Sequence, residues 1–229
     1  MRKSLFLLSL IATATIYAQF DLAFLPAFEH RTYQRITTDG TTVAHTYLTR
    51  TGDTVKIAYT NGNDSSAYGF TVTGKPLDYR HYLNGKLTET VIYDWNMKKI
   101  HFDGIVDGAQ IKETHDLKDN TICAFMVSEV FRGYPWGKDN SKDFNIFSVE
   151  KGRKYFDAVL KVSRKDVAVP GTSYKANIVK LSAGFGFIKL EQKYDFYYST
   201  TGTHALVYYD GVDGLDRKLT STLKTNETR

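Results

Sequence analysis

The side chains with the greatest capacity for chemistry gather between residues 101 and 123. His101-Phe102-Asp103 sets an imidazole and a carboxylate on one face of a strand, because alternate strand residues share a face. Glu113, His115 and Asp116 follow closely. Imidazoles and carboxylates serve as metal ligands and as general acids and bases, so a hydrolase built on His101, Asp103 or Glu113 is one reading. The set lacks the compact spacing of a dedicated motif, such as two histidines on one helical face with a glutamate between them. A polar outer face followed by a loop accounts for it better, and no metal ligand or catalytic residue is assigned. His81 falls in register with Leu77, Tyr79 and Leu83, which predicts a hydrogen-bonded core histidine.

Cys123 is the sole cysteine, so no intramolecular disulfide can form, and it is expected as a small buried apolar residue. No serine sits in a G-x-S-x-G elbow, and Cys123 has no histidine nearby in sequence. Gly184-Phe185-Gly186-Phe187 lacks the spacing, the lysine and the following helix of a phosphate loop, and reads as a turn or a bulged strand. The sequence therefore leans away from an enzyme without excluding one, and implies no cofactor.

Aromatic content is the unusual feature, with 16 Tyr and 14 Phe. Tyr197-Tyr198 and Tyr208-Tyr209 are adjacent pairs, and neighbours on a strand face opposite ways. One ring of each pair should enter the core. The other either covers a strand surface, as tyrosine commonly does, or presents a face for glycan, lipid or a partner protein. Tyr134-Pro135-Trp136 places two more large rings on a loop. Phe125, Met126, Tyr134 and Trp136 are the candidate ligand-binding residues.

The elements that must position these groups are strands. Val43, His45 and Tyr47 alternate with polar or small residues, as do Val55, Ile57 and Tyr59, and then Tyr68, Phe70 and Val72. Asp39-Gly40, Gly52-Asp53, Asn61-Gly62 and Asn84-Gly85 separate such runs, and these pairs tolerate the positive φ of hairpin turns. Residues 31–103 thus predict a meander of about seven strands, and the β pattern returns after Pro135. Between them, Ile122, Phe125, Met126 and Val130 repeat at helical spacing. This predicts a short helix around 120–132, capped by Asp119 or Asn120 and ended by Arg132 and Gly133, with its apolar stripe packed on the sheet. The fold expected is mainly β: a curved antiparallel sheet, half-barrel or open barrel, with that one helix. A two-sheet β sandwich is the alternative.

Met1-Arg2-Lys3, the apolar run Leu5–Ala12 and Ile16-Tyr17-Ala18 have the three parts of a secretory signal peptide. Cleavage after Ala18 would leave Gln19 first, with no cysteine there for a lipid anchor, and no later segment is apolar enough to span a membrane. The expected organisation is a signal peptide over 1–18, one β-rich domain over 19–222 and a polar, frayed tail over 223–229. The formal charge of +5 includes Arg2 and Lys3, and the rest is too small and too evenly spread to argue for nucleic acid.

Several stretches in a consistent order resemble an exported bacterial family, domain of unknown function 3108. They are Tyr93-Asp94-Trp95-Asn96-Met97-Lys98-Lys99, Asp119-Asn120-Thr121-Ile122-Cys123-Ala124-Phe125, Val167–Ala176 and Phe196-Tyr197-Tyr198-Ser199. The resemblance covers roughly residues 40–210 and departs at Thr200–Val207, where family members tend to carry a proline. It implies a sheet, a short helix and more sheet, and supplies no catalytic residues. That layout is similar to half-barrel proteins that carry lipoproteins or lipids across the periplasm, an analogy of fold. The function expected is a periplasmic or secreted, soluble, non-enzymatic binding or envelope-maintenance protein, its partner an apolar or lipid-like molecule or an envelope component. An envelope-associated hydrolase and a structural partner docking through exposed aromatics are the alternatives.

Overall fold

A computed structural model of the chain describes residues 20–136, 141–150, 152–185, 188–189, 194–213 and 216–229. The expected signal segment 1–18, the cleavage point before Gln19, and Gly186-Phe187 lie outside the described residues.

The meander begins before residue 31 and runs one strand past 103. It comprises β1 (Phe28–Thr37), β2 (Gly40–Thr51), β3 (Thr54–Asn61), β4 (Asp64–Thr71), β5 (Pro76–Leu83), β6 (Lys86–Asp94), β7 (Lys99–Val106) and β8 (Ala109–Asp116). Each pairs antiparallel with the next. The Asn84-Gly85 turn shows why such pairs matter: both residues take positive φ, 52° and 73°, the geometry that matches strand twist in a two-residue hairpin.

The second arm contains β9 (Thr121–Cys123), β10 (Ser141–Ser148), β11 (Lys154–Ala168), β12 (Lys175–Phe185), β13 (Ile188–Lys189), β14 (Asp195–Ser199), β15 (Leu206–Val212) and β16 (Lys218–Thr228). All sixteen strands belong to one sheet rather than a sandwich. Its order is β8-β7-β6-β5-β4-β3-β2-β1-β16-β15-β14-β12-β11-β10-β9, with β13 paired on β12. Every pairing is antiparallel except β9 with β10. The sheet stays open, yet its arms curl until side chains bridge them. The Tyr155 hydroxyl donates to the Asp116 carbonyl at 2.8 Å, and Arg153 Nε donates to Glu113 Oε2 at 2.7 Å.

The fold is mainly β with one short helix in an open antiparallel sheet, as expected, and two details differ. The helix expected around 120–132 is shorter: Thr121–Cys123 is strand, Ala124–Met126 and Phe131–Gly133 are 3-10 turns, and the α-helix, α1, spans only Val127–Val130. The β-branched Thr121 and Ile122 find a ladder beside Asn145 and Ile146, which a helix would forfeit. Asn120 sits at φ 59°, outside the helical region, and no side chain caps the first turn. The tail 223–229, expected to fray, continues β16 to Thr228, paired with Glu29 of β1. Its side chains are mostly exposed and polar, but β1 satisfies its backbone.

The inner face of the sheet carries the core. Tyr79, Val91 and Phe102 of the first arm share one cluster with Ile122, Met126 and Phe147, and with Leu160, Val179 and Phe196 of the second. The segment preceding β1 closes one end. Phe20, Leu22 and Leu25 are buried, Asp21 N–H donates to the Gly133 carbonyl at 3.0 Å, and Leu22 N–H donates to the Val72 carbonyl at 2.8 Å. Gly133 ends the helical segment through this close approach rather than through a left-handed turn. A Cβ there would lie 2.6 Å from the Asp21 carbonyl oxygen.

Candidate functional site

Alternation along the inward strands places aromatic rings around a cavity of about 650 Å³ between the two arms. That volume falls within the ~300–1,000 Å³ usual for small-molecule sites. The first arm contributes Tyr33, Tyr59, Tyr68 and Tyr79, and the second contributes Phe156, Phe196 and Tyr209. Ala124, Phe125 and Val127–Glu129 reach it from the helical segment. Phe125 stacks flat on Tyr79, with centroids 4.0 Å apart and planes 1° apart. Burial raises the Tyr68 and Tyr79 hydroxyls above the usual phenol range, so both stay neutral.

Charged groups stand in the lining near the turns opposite the closed end. His81 Nε2 lies 2.9 Å from Asp64 Oδ1, and its Nδ1 lies 2.9 Å from Thr88 Oγ1. The Thr88 hydroxyl also lies 3.1 Å from the His81 carbonyl, so both ring nitrogens have a polar partner and one of these is a carboxylate. The hydrogen bond to Asp64 correspondingly raises the His81 pKa above 6.5, against the opposing effect of burial. Burial raises the nearby Glu89 carboxyl, with His81 and Arg153 pulling it down. Arg217 pairs with Asp213 at 2.7 Å and also meets Asp39. Arg35 Nη1 donates to the Tyr59 hydroxyl at 2.6 Å.

Beneath one wall lies a buried network that joins β1 to the helical segment. Arg132 grips Glu29 with two nitrogens, at 2.6 and 3.1 Å, reaches Glu129 at 3.1 Å and donates twice to the Thr203 carbonyl. Arg31 Nη2 lies 2.7 Å from Glu129 Oε2 and its Nε lies 3.4 Å from Glu29 Oε2, ion pairs without aligned hydrogen bonds. Arg31 Nη1 donates to the Tyr33 hydroxyl, which donates onward to the Leu206 carbonyl. Two cations and two anions thus compensate one another out of water. Burial opposes the Glu129 carboxylate, but the charges of Arg31 and Arg132 outweigh it and hold its pKa below the usual value. Burial pushes the Tyr33 hydroxyl up to about 12.

The structure distributes the four candidate ligand residues unequally. Phe125 lines the cavity. Met126 is fully buried in the core, beside Ile122 and Val130. Tyr134 is buried and Trp136 half-buried on the side of the helical segment that meets Phe20 and Leu22, where Trp136 packs against Tyr134, Tyr198 and His204. Sequence reasoning missed Arg35, Asp64, Ser66, Glu89 and Arg217 as lining residues. The inward alternation of Tyr59, Tyr68 and Tyr79 was the available signal. His81 is hydrogen-bonded as expected, but stands in the cavity wall rather than in the core.

The cluster around His101 does not converge. His101 and Asp103 alternate with buried Ile100, Phe102 and Gly104, so they face outward, toward Thr114 and Lys112 respectively. Glu113 and His115 take the opposite side, where Glu113 meets Arg153 and His115 packs on Phe147. The sheet separates the two halves. Among the described residues, no group of three His, Cys, Asp or Glu could hold a metal ion. Cys123 is buried and free, its thiol pushed up to about 11 by burial. The adjacent tyrosines split as expected: Tyr198 and Tyr209 join the inner core, while Tyr197 and Tyr208 pack edge to face outside it, 5.1 Å apart. Those outer rings are half-covered by a second small cluster with Ala176, Val207 and Leu223.

No family model and no curated protein matches the chain, so the resemblance to domain of unknown function 3108 stands on the quoted residues alone. Among solved structures it is similar to PNGF-II, at 6% identity and a TM-score of 0.35, over 88% of this chain but 28% of that one. An inferred lipoprotein of Parabacteroides distasonis is similar at 9% identity and a TM-score of 0.33, covering 91% of this chain and 98% of its own. An inferred exported protein with a YmcC-like fold from Bacteroides fragilis gives 9%, 0.33, 91% and 99% in the same terms. Similarity this low carries no activity from those proteins to this one. No helix among the described residues is long and apolar enough to cross a membrane.

Proposed function

We propose that this chain is an exported, non-enzymatic binding protein that holds an apolar, lipid-like molecule in the cavity between its arms. The observation that carries the reading is the lining itself. Phe125, stacked on Tyr79, extends an aromatic surface from the helical segment onto the sheet, and ionisable groups gather toward the turns. An apolar body with a polar end matches that division, because burying apolar area is favourable while a charged end retains polar partners. The separation of His101 and Asp103 from Glu113 favours binding over hydrolysis. In this proposal residues 1–18 direct export and are removed, and residues 19–222 form the binding domain.

Mass spectrometry of organic extracts from natively purified protein tests the proposal. An apolar molecule recovered in near-stoichiometric amount, and absent from the same protein washed after unfolding in urea, is the expected result. Clean extracts, together with no fluorescence gain from a neutral apolar dye such as N-phenyl-1-naphthylamine, would overturn it.

A further inference from the structure

We propose that Arg35 selects the polar end of the bound molecule, and that the cavity prefers an amphiphile with an anionic head, carboxylate or phosphate, to a neutral one. This rests on the binding role proposed above. Among the described residues the lining holds three side chains that can carry positive charge, and two meet carboxylates: His81 meets Asp64, and Arg217 meets Asp213 and Asp39. Arg31 and Arg132 are matched by Glu29 and Glu129. Among the described residues, Arg35 is the cation of the lining that no carboxylate meets. Its partner is Tyr59, through the hydroxyl at 2.6 Å and the ring, whose centroid is 5.9 Å from the guanidinium carbon.

A guanidinium has five N–H donors in a planar fork, and one neutral phenol oxygen leaves most of them open. The cross-strand neighbours of Arg35 and Tyr59 carry neutral hydroxyls. Ser221 is its cross-strand partner on β16, and Thr46 and Ser66 flank Tyr59 on β2 and β4. All three line the cavity and can donate to an anion. Asp64 is the carboxylate felt at Tyr59, and its charge is engaged by His81. A half-buried fork that meets no carboxylate among the described residues, on strands whose neighbouring positions carry hydroxyls, suits a two-oxygen anion, and partial exclusion of water strengthens the contact.

Displacement of N-phenyl-1-naphthylamine by dodecanoate, dodecyl phosphate and dodecanol tests the assignment. In the wild-type chain at least one anion should displace the dye at about 10- to 100-fold lower concentration than dodecanol, the range expected for a charge-assisted hydrogen bond. The better of the two anions identifies the head as carboxylate or phosphate. Arg35→Gln should abolish the preference, read as the ratio of anion to dodecanol displacement within each variant, and Arg35→Lys should keep part of it. If Arg35→Gln does not fold, Tyr59→Phe, which removes the hydroxyl that orients the fork, should reduce the preference in the same direction. Equal displacement by dodecanol and both anions, or a preference that survives Arg35→Gln, would overturn the headgroup assignment and leave the binding role standing. A wild-type chain that binds no dye and yields clean extracts would remove the binding role and this inference together.

Discussion

Glu129 of α1 and Arg31 of β1 meet at 2.7 Å with both side chains shut away from water. That contact ties the four-residue α-helix to the strand on which the two arms join. With Glu29 and Arg132 it forms a balanced set, so removing one member does more than delete one pair.

Glu129→Gln leaves the two guanidiniums facing a single carboxylate. We expect it to cost about 3–5 kcal/mol in urea unfolding, the range for breaking a buried pair, whereas replacing Arg31 and Glu129 together by apolar residues should cost less than the two single changes summed. The depressed folded-state pKa of Glu129 sets the sign of its pH dependence. Its contribution is complete above the unfolded value of about 4.5 and is lost as pH falls through the folded value. The acid-unfolding curve of Glu129→Gln should therefore be flatter than that of the wild type.

Phe125→Ala separates floor from core. Ile122, Met126 and Val130 are fully buried, while Phe125 is only partly so and faces the cavity. We expect a loss of about 1–3 kcal/mol, less than the ~3–5 of a fully packed phenylalanine, with weaker dye binding alongside. Met126→Ala should reverse the balance, with a larger stability loss and little change in dye binding. Equal effects from both variants would mean that Phe125 is ordinary core.

His81 titrates in the opposite sense to Glu129. Its folded pKa lies above 6.5, so its stabilising bond to Asp64 is fully present below that pH and is lost as pH rises through the folded value. Asp64, Glu89 and Glu150 all favour the imidazolium. Imidazole resonances followed by NMR should place the His81 midpoint above 6.5, and Asp64→Asn should bring it down. An unmoved midpoint in Asp64→Asn would contradict the role of Asp64 in raising the His81 pKa.

Cys123 should resist alkylation. Its buried thiol, shifted to about 11, supplies little thiolate at pH 8. Iodoacetamide should modify it at an appreciable rate only in urea. Rapid labelling of the native chain would show that the strand β9 opens readily.

The first arm was legible because turn pairs and alternation agreed: the meander read from residues 31–103 is strands β1 to β7. The inner face of β1 was not. Glu29, Arg31, Tyr33 and Arg35 alternate with Phe28, His30, Thr32 and Gln34, and a sequence pattern assigns such charges to water. Glu29 and Arg31 are buried because Glu129 and Arg132, remote in sequence, neutralise them. Alternation records which residues share a face, while partners brought together by the fold decide which face is inside. The helical stripe misled for a related reason: Ile122 belongs to the stripe by spacing, but an edge of β10 was available to it as strand.

The seam between β1 and β16 has a consequence for the order of assembly. β1 can pair with β2 as soon as their hairpin is free to fold, but its other edge waits for β16, far along the chain. Until then its unsatisfied N–H and C=O groups form a template for any extended chain nearby. Closing so long a loop costs little more than closing a moderate one, but it delays the step until β16 is in place. A chain cut before Lys218 would leave that edge of β1 uncovered. Such a fragment should sediment as self-associated species, whereas in the chain carrying β16 the edge is occupied from within.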